Sequence, residues 1–207
     1  SMKNISATPW GTEFLEGLGI MPCGYHRYYY QFNAMVEHQQ EDVKKGEARG
    51  QVVKRVEAEL FELYKDVNLK EKPKQLEQRG GAYYSDAACN LIASMYNDTK
   101  DIQPVNTLNM GAIASLPMDC AVEVSCVITK EGPRPLAMGR LPIQVEGLVQ
   151  QMKSFEQVAT DAAVSGDYNT ALVAMTINPL VRDENKAKLI LDEMLEAHKV
   201  YLPQFFK

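Results

Sequence analysis

Residues 121–128, AVEVSCVI, carry an apolar–polar alternation through Val122–Cys126 in a chain whose apolar residues otherwise recur every three or four positions. Val122, Val124, Cys126 and Ile128 fall on one side, with Glu123 and Ser125 on the other, as in a strand that buries one face. Residues 103–108 read as a second strand. Residues 134–138, after the Glu131-Gly132-Pro133 turn, read as a third, which makes a small antiparallel unit. Everything after it is helical. Val145, Leu148, Val149, Met152, Phe155, Ala159 and Ala162 trace one long amphipathic helix that starts after Pro142 and stops at Gly166. Asp167 caps a shorter helix to about Ile177, and Asp183 caps another that reaches His198. Leu202-Pro203 ends the pattern and leaves a short apolar tail. The fold class is therefore α+β, a helix-dominated single domain with a small antiparallel sheet, and 207 residues suffice to bury its core.

The first third is helical as well. Residues 10–19 predict a short helix closed by Gly17 and Gly19. A second is expected over 25–37, with Tyr25, Tyr28, Tyr29, Phe32 and Val36 on one face. The polar residues 37–46 read as a mobile connection. A long helix follows over about 47–67, marked by Val53, Val56, Leu60, Leu63 and Val67. Arg49 continues this stripe one turn back, so it either escapes past the helix end or meets an anion, because a buried unpaired charge is costly. Arg79-Gly80-Gly81 is a tight turn before a helix at 85–97, with Ser85 as its N-cap.

Chemistry concentrates in MPCGYHRYYY, residues 21–30. Four tyrosines occupy six positions, and Tyr25 stands where a helix begins. Backbone N–H groups at a helix start favour an anion. A phenol ionises only near pH ~10, so a tyrosine that acts as a base needs such help. The alternative is an aromatic helix face buried in a core. His26 points about 100° away from Tyr25 on a helix, so it reads as structural or exposed.

A net charge of −5, with no basic run, argues against nucleic acid. No apolar run is long enough to span a membrane as a helix. Cys23, Cys89, Cys120 and Cys126 have no CxxC spacing, which suits reduced thiols in a cytoplasm better than a disulfide or zinc framework. Dinucleotide, phosphate-loop, zinc-protease and serine-hydrolase motifs do not occur.

The ordered blocks PCGYHRYYY, GEARGQVVKRVEAELFELY, QRGGAYYSDAA, PVNTLNMGAIASLP, VEVSCVI, GPRPLAMGRLP and VQQMKSFEQVATDAAVSGD resemble the carboxyl-terminal domain of glycoside hydrolase family 4. The similarity runs over about residues 3–203 and is greatest to 6-phospho-β-glucosidases. It implies a fold like the carboxyl-terminal domain of lactate and malate dehydrogenases. It also implies a cytoplasmic homo-oligomer, a homodimer, acting on a phosphorylated β-glucoside with NAD and Mn2+. A 6-phospho-α-glucosidase, an α-galactosidase of the same family and a non-catalytic dimerising domain are the alternatives. In this family, an exception to two-carboxylate glycosidases, the sugar C3 hydroxyl is oxidised. A tyrosine then removes the acidified C2 proton, the aglycone is eliminated, water adds and the ketone is reduced. The motif aligns that tyrosine with Tyr25 and the active-site arginine with Arg49, with Arg27 and Arg79 as weaker candidates. The resemblance further implies that the Rossmann half and the metal-binding Cys and His precede this chain. Cys23 is not that ligand, and the chain alone is expected to be inactive. His26 stands where relatives carry leucine.

Overall fold

The computed structural model describes residues 10–78 and 84–207. Its contacts gather into two units, Ser1–Asn90 and Leu91–Lys207, with the boundary inside a helix. The Arg79-Gly80-Gly81 turn lies outside the described residues.

In the first unit, α1 (Thr12–Leu18) ends on Gly19, whose φ of 69° is the left-handed conformation glycine adopts without cost. A 3-10 turn, Gly24–His26, leads into α2 (Arg27–Tyr30), α3 (Phe32–Lys45) and α4 (Arg49–Leu63). The tyrosine helix expected over 25–37 is thus broken at Gln31, which leaves helical geometry at φ −121° and ψ 38°. The connection expected over 37–46 is instead most of α3. Its Glu, Gln and Lys residues are good helix formers, and His38–Asp42 and Glu41–Lys45 pair one turn apart at 3.6 Å. Gly46 at φ 70° closes it, with the Glu47 N–H donating to the Asp42 carbonyl at 2.8 Å.

Helix α4 stops at Leu63, not near residue 67. The Asp66 carboxylate accepts from the Asn68 N–H at 2.9 Å, a side-chain turn that competes with further helix. Val56 and Leu60 of the predicted stripe are buried, whereas Val67, beyond the helix, is 94% exposed.

The second unit follows the alternation. Helix α5 (Tyr84–Asn97) precedes β1 (Ile102–Leu108), β2 (Ala121–Thr129) and β3 (Gly132–Pro135), an antiparallel sheet in the order β1-β2-β3. Ser85 lies inside α5 and does not cap it. Val105 faces Val124 across the first pair, and Cys126 faces Pro135 across the second. Val122, Val124, Cys126 and Ile128 are all buried, and Leu91 and Met95 of α5 pack against them. Fully burying a side chain such as Ile128 stabilises by about 1.5–3 kcal/mol. Burial also pushes the Cys126 thiol up, as suits an inert apolar filler.

Helices α6 (Ile143–Ser165), α7 (Tyr168–Ile177) and α8 (Glu184–Ala197) fall where the periodicity and caps put them. The Asp167 carboxylate accepts from the Thr170 N–H at 2.7 Å, and that of Asp183 from the Lys186 N–H at 2.9 Å. Val149 of α6 joins the sheet core, and the Lys153 ammonium donates to the Ala121 carbonyl at 2.8 Å. A second core joins Ala162, Ala171, Leu191 and Leu195, and the apolar tail returns to it through Leu202 and Phe205.

That return depends on Gly166. Its φ is 74°, and a Cβ placed there would lie 2.1 Å from the Gln204 carbonyl oxygen. Gly166→Ala is expected to combine left-handed strain with displacement of the tail, destabilising the chain by about 2–5 kcal/mol. Urea unfolding of the two chains side by side measures this; an unchanged midpoint would mean that the tail docks without help from Gly166.

Candidate active site

The segment Pro22–Gln31 belongs wholly to the first unit. Pro22 is buried, and Cys23 is extended at ψ 145°. The chain then turns once: the His26 N–H donates to the Cys23 carbonyl at 2.9 Å, closing the 3-10 turn that carries Tyr25. The same carbonyl lies 3.2 Å from the His26 ring Nδ1.

Beyond the turn the rings pack together. Trp10, 8% exposed, meets the Phe14 ring at 5.8 Å and the Tyr30 ring edge-on at 5.9 Å. Tyr30 also meets Phe14 at 5.0 Å, Tyr29 at 5.2 Å and the His26 ring at 6.4 Å. The Arg27 guanidinium lies over the Tyr28 ring at 5.4 Å. Tyr29 and Tyr30 thus pack with neighbouring rings while remaining half-buried, short of the buried aromatic face that was the alternative. Burial, and the neighbouring Tyr29, push the Tyr30 phenol above its ordinary range, which makes it a poor base near neutral pH.

Tyr25 stands apart, 68% exposed while Tyr28, Tyr29, Phe32 and Val36 are half-buried. The one-face expectation fails here because 3-10 geometry advances about 120° per residue against 100° in an α-helix, and Gln31 breaks the register. A three-residue turn also has little dipole of its own, so the expected help from a long helix beginning at Tyr25 is absent.

Arg49 is the first residue of α4 and is exposed. The helix entry is organised by Gln51, whose side-chain oxygen accepts from the Ala48 N–H at 3.1 Å. Arg49 therefore lies at the helix end and in reach of solvent, as the first of the two expected outcomes has it. A cation in the first turn sits at the positive end of the helix, where it is disfavoured by ~0.3–1 kcal/mol and an anion is favoured by a similar amount. The Arg49 guanidinium and the first-turn amides thus belong to the same helix end. Arg27, on α2, is half-buried, and Arg79 lies outside the described residues.

Among the buried polar side chains that escaped the sequence reading are Asn109 and Glu146. Asn109 is fully buried between β1 and β2, with its amide nitrogen at 2.8 Å from the Pro117 carbonyl and 3.1 Å from those of Ile113 and Leu116. Glu146, in the first turn of α6, is buried and receives Arg140 at 2.9 Å. Only the Asn-x-Gly spacing and an acidic residue after Pro142 could have signalled them, and both are weak. Among the described residues, no three His, Cys, Asp or Glu side chains converge to hold a metal ion.

The model of a family described as "Family 4 glycosyl hydrolase C-terminal domain" matches residues 1–181. The chain is 66% identical, over its whole length, to a Bacillus subtilis protein named "Probable 6-phospho-beta-glucosidase", of which it covers 47%. It is 43% identical over 99% of its length to the 6-phospho-beta-glucosidase of Escherichia coli, covering 46% of that protein. The structure of the 6-phospho-beta-glucosidase from Thermotoga maritima with NAD and glucose-6-phosphate superposes with a TM-score of 0.84 at 31% identity. That match covers 94% of this chain and 47% of the other. The chain spans about half the length of the relatives it matches.

Within the aromatic motif, the ring packing predicts that Tyr30 ionises late. In an ultraviolet tyrosinate titration, Tyr30→Phe should remove amplitude from the highest-pH part of the curve; loss from the earlier part instead would contradict the packing.

Proposed function

The chain belongs to family 4 of the glycosyl hydrolases, and from that premise we propose that it supplies the proton-abstracting half of a 6-phospho-β-glucosidase, with Tyr25 as the base and Arg49 as its electrostatic partner. The substrate is a phosphorylated β-glucoside, and the enzyme is a cytoplasmic homo-oligomer that uses NAD and Mn2+. The β specificity rests on the names of the relatives with 66% and 43% identity.

The described residues offer no metal-holding cluster, and the sequence has no glycine-rich dinucleotide loop, so these groups do not fit the residues present. When bound elsewhere in the enzyme, they supply the oxidation at C3 that makes the neighbouring C2 proton acidic. What this chain does is take that proton. The C2–H bond breaks, the Tyr25 oxygen forms the new O–H bond, and the electron pair moves towards the C3 oxygen. Its later return expels the aglycone oxygen from C1.

The observation that carries the reading is the exposure of Tyr25. It alone among the four clustered tyrosines is exposed, so its hydroxyl can meet a substrate. A phenol working as a base near neutral pH needs stabilisation of its anion by about 4 kcal/mol, three units below its ordinary value. A unit positive charge within ~4–6 Å in a partly screened site is worth about 3–4 kcal/mol. The exposed Arg49 at the head of α4 is a cation of the required sign, and it also suits the enediolate charge that develops on the sugar.

The test uses the whole gene product, with a nitrophenyl β-glucoside phosphate in deuterated water. Tyr25→Phe should lower turnover by ~10²–10⁴-fold and abolish solvent exchange at C2. Exchange at the parental rate in that variant would reject Tyr25 as the base. Arg49→Ala should lower kcat by ~10²–10³-fold, with Arg49→Lys intermediate. If Arg49→Ala raised KM alone, its role would be substrate binding and not charge stabilisation. Faster cleavage of the α-anomer would reassign the specificity.

A further inference from the structure

We infer that His26 is a positioning residue for Tyr25, its ring fastening the 3-10 turn to the aromatic cluster behind it. The inference rests on Tyr25 being the base.

The geometry is specific. The Cys23 carbonyl can only accept, and it lies 2.9 Å from the His26 backbone nitrogen and 3.2 Å from the ring Nδ1. The ring must therefore carry its proton on Nδ1, as the neutral Nδ1–H tautomer or as the cation. Both lone pairs of one oxygen are then engaged by one residue, and the loop so closed spans Cys23, Gly24, Tyr25 and His26. On its other side the ring lies 6.4 Å from the Tyr30 ring, tilted by 43°. Tyr30 is in turn packed on Trp10, Phe14 and Tyr29.

Without that bridge, the turn keeps only its backbone hydrogen bonds, from the His26 N–H to the Cys23 carbonyl and from the Arg27 N–H to the Gly24 and Tyr25 carbonyls, beside Gly24, the residue with the widest conformational choice. Among the described residues Tyr25 makes no ring contact with the cluster. Its direction is set by the backbone of the turn. An exposed base on a loose turn spends less time oriented towards a C2 proton, which lowers kcat more than substrate affinity. A leucine at position 26 would fill space against Tyr30 but donate nothing to Cys23.

The experiment again uses the whole gene product, measuring kcat, KM and C2 solvent exchange on a nitrophenyl β-glucoside phosphate. His26→Ala should lower kcat and the exchange rate together by roughly 3- to 10-fold, the scale of one net hydrogen bond, with KM little changed. His26→Asn, whose amide can donate to the same carbonyl, should restore most of the loss, whereas His26→Leu should not. In a Tyr25→Phe background, His26→Ala should have no further effect. Parental kcat in His26→Ala overturns the inference, as does equal rescue by Asn and Leu or an undiminished effect in the Tyr25→Phe background. Failure of the underlying reading looks different: Tyr25→Phe would then retain C2 exchange whatever stands at position 26.

Discussion

One buried carboxamide governs the sheet unit. Asn109 occupies the irregular connection between β1 and β2, where backbone carbonyls have no strand partner. Its side chain serves Ile113, Leu116 and Pro117 at once, and its oxygen accepts from the Ile113 N–H at 2.8 Å. A buried carbonyl left without a donor costs about 1–3 kcal/mol, and the Asn109 amide adds to the bonds that the Ile113 and Pro117 carbonyls accept from Leu116 and Cys120 and reaches that of Leu116, which helps to set the path of the loop. With the loop fixed, Ile113 bridges to Gly139, and the Gln150 amide of α6 donates to the Ser115 carbonyl at 3.0 Å. Strand pairing and the seat of the long helix thus follow from a polar group inside an apolar core.

The first unit uses a different device. Its organising contacts are aromatic edges, which are directional enough to orient rings yet need no polar partner. Trp10, Phe14, Tyr29 and Tyr30 take up the apolar surface of the motif, and this consumption of rings leaves Tyr25 outside. The reactive candidate is defined by exclusion from packing as much as by any contact it makes. Four adjacent tyrosines therefore divide their labour: those beyond the turn stabilise, while the one within it stays accessible.

Strong periodicity made much of this legible in advance. The alternation in β2, the caps Asp167 and Asp183, and the stop at Gly166 each rest on local rules that tertiary context did not override. Where the sequence reading failed, burial was the misleading guide. Residues 37–45 are helical because their side chains pair and propagate a helix, although none of them reaches a core. Val67 looked like core because it continued a stripe, but the Asp66 side chain ends the helix first. Tyr25 was expected at the head of a long helix, yet Gln31 interrupts the backbone for reasons no periodicity reveals. Asn109 carries only the weak Asn-x-Gly spacing, since a buried amide and a loop amide are written with the same letter. Membership of the family was readable because ordered blocks survive even where individual elements were misjudged.

Arg49 opens α4 at the end of the helix that repels cations. Any procedure that ranks substitutions by folding free energy would mark this arginine early, favouring an aspartate or glutamate in its place. Thermostabilising the chain by charge optimisation would in that way erase the residue offered as partner to the phenolate, and the product would melt higher and turn over less.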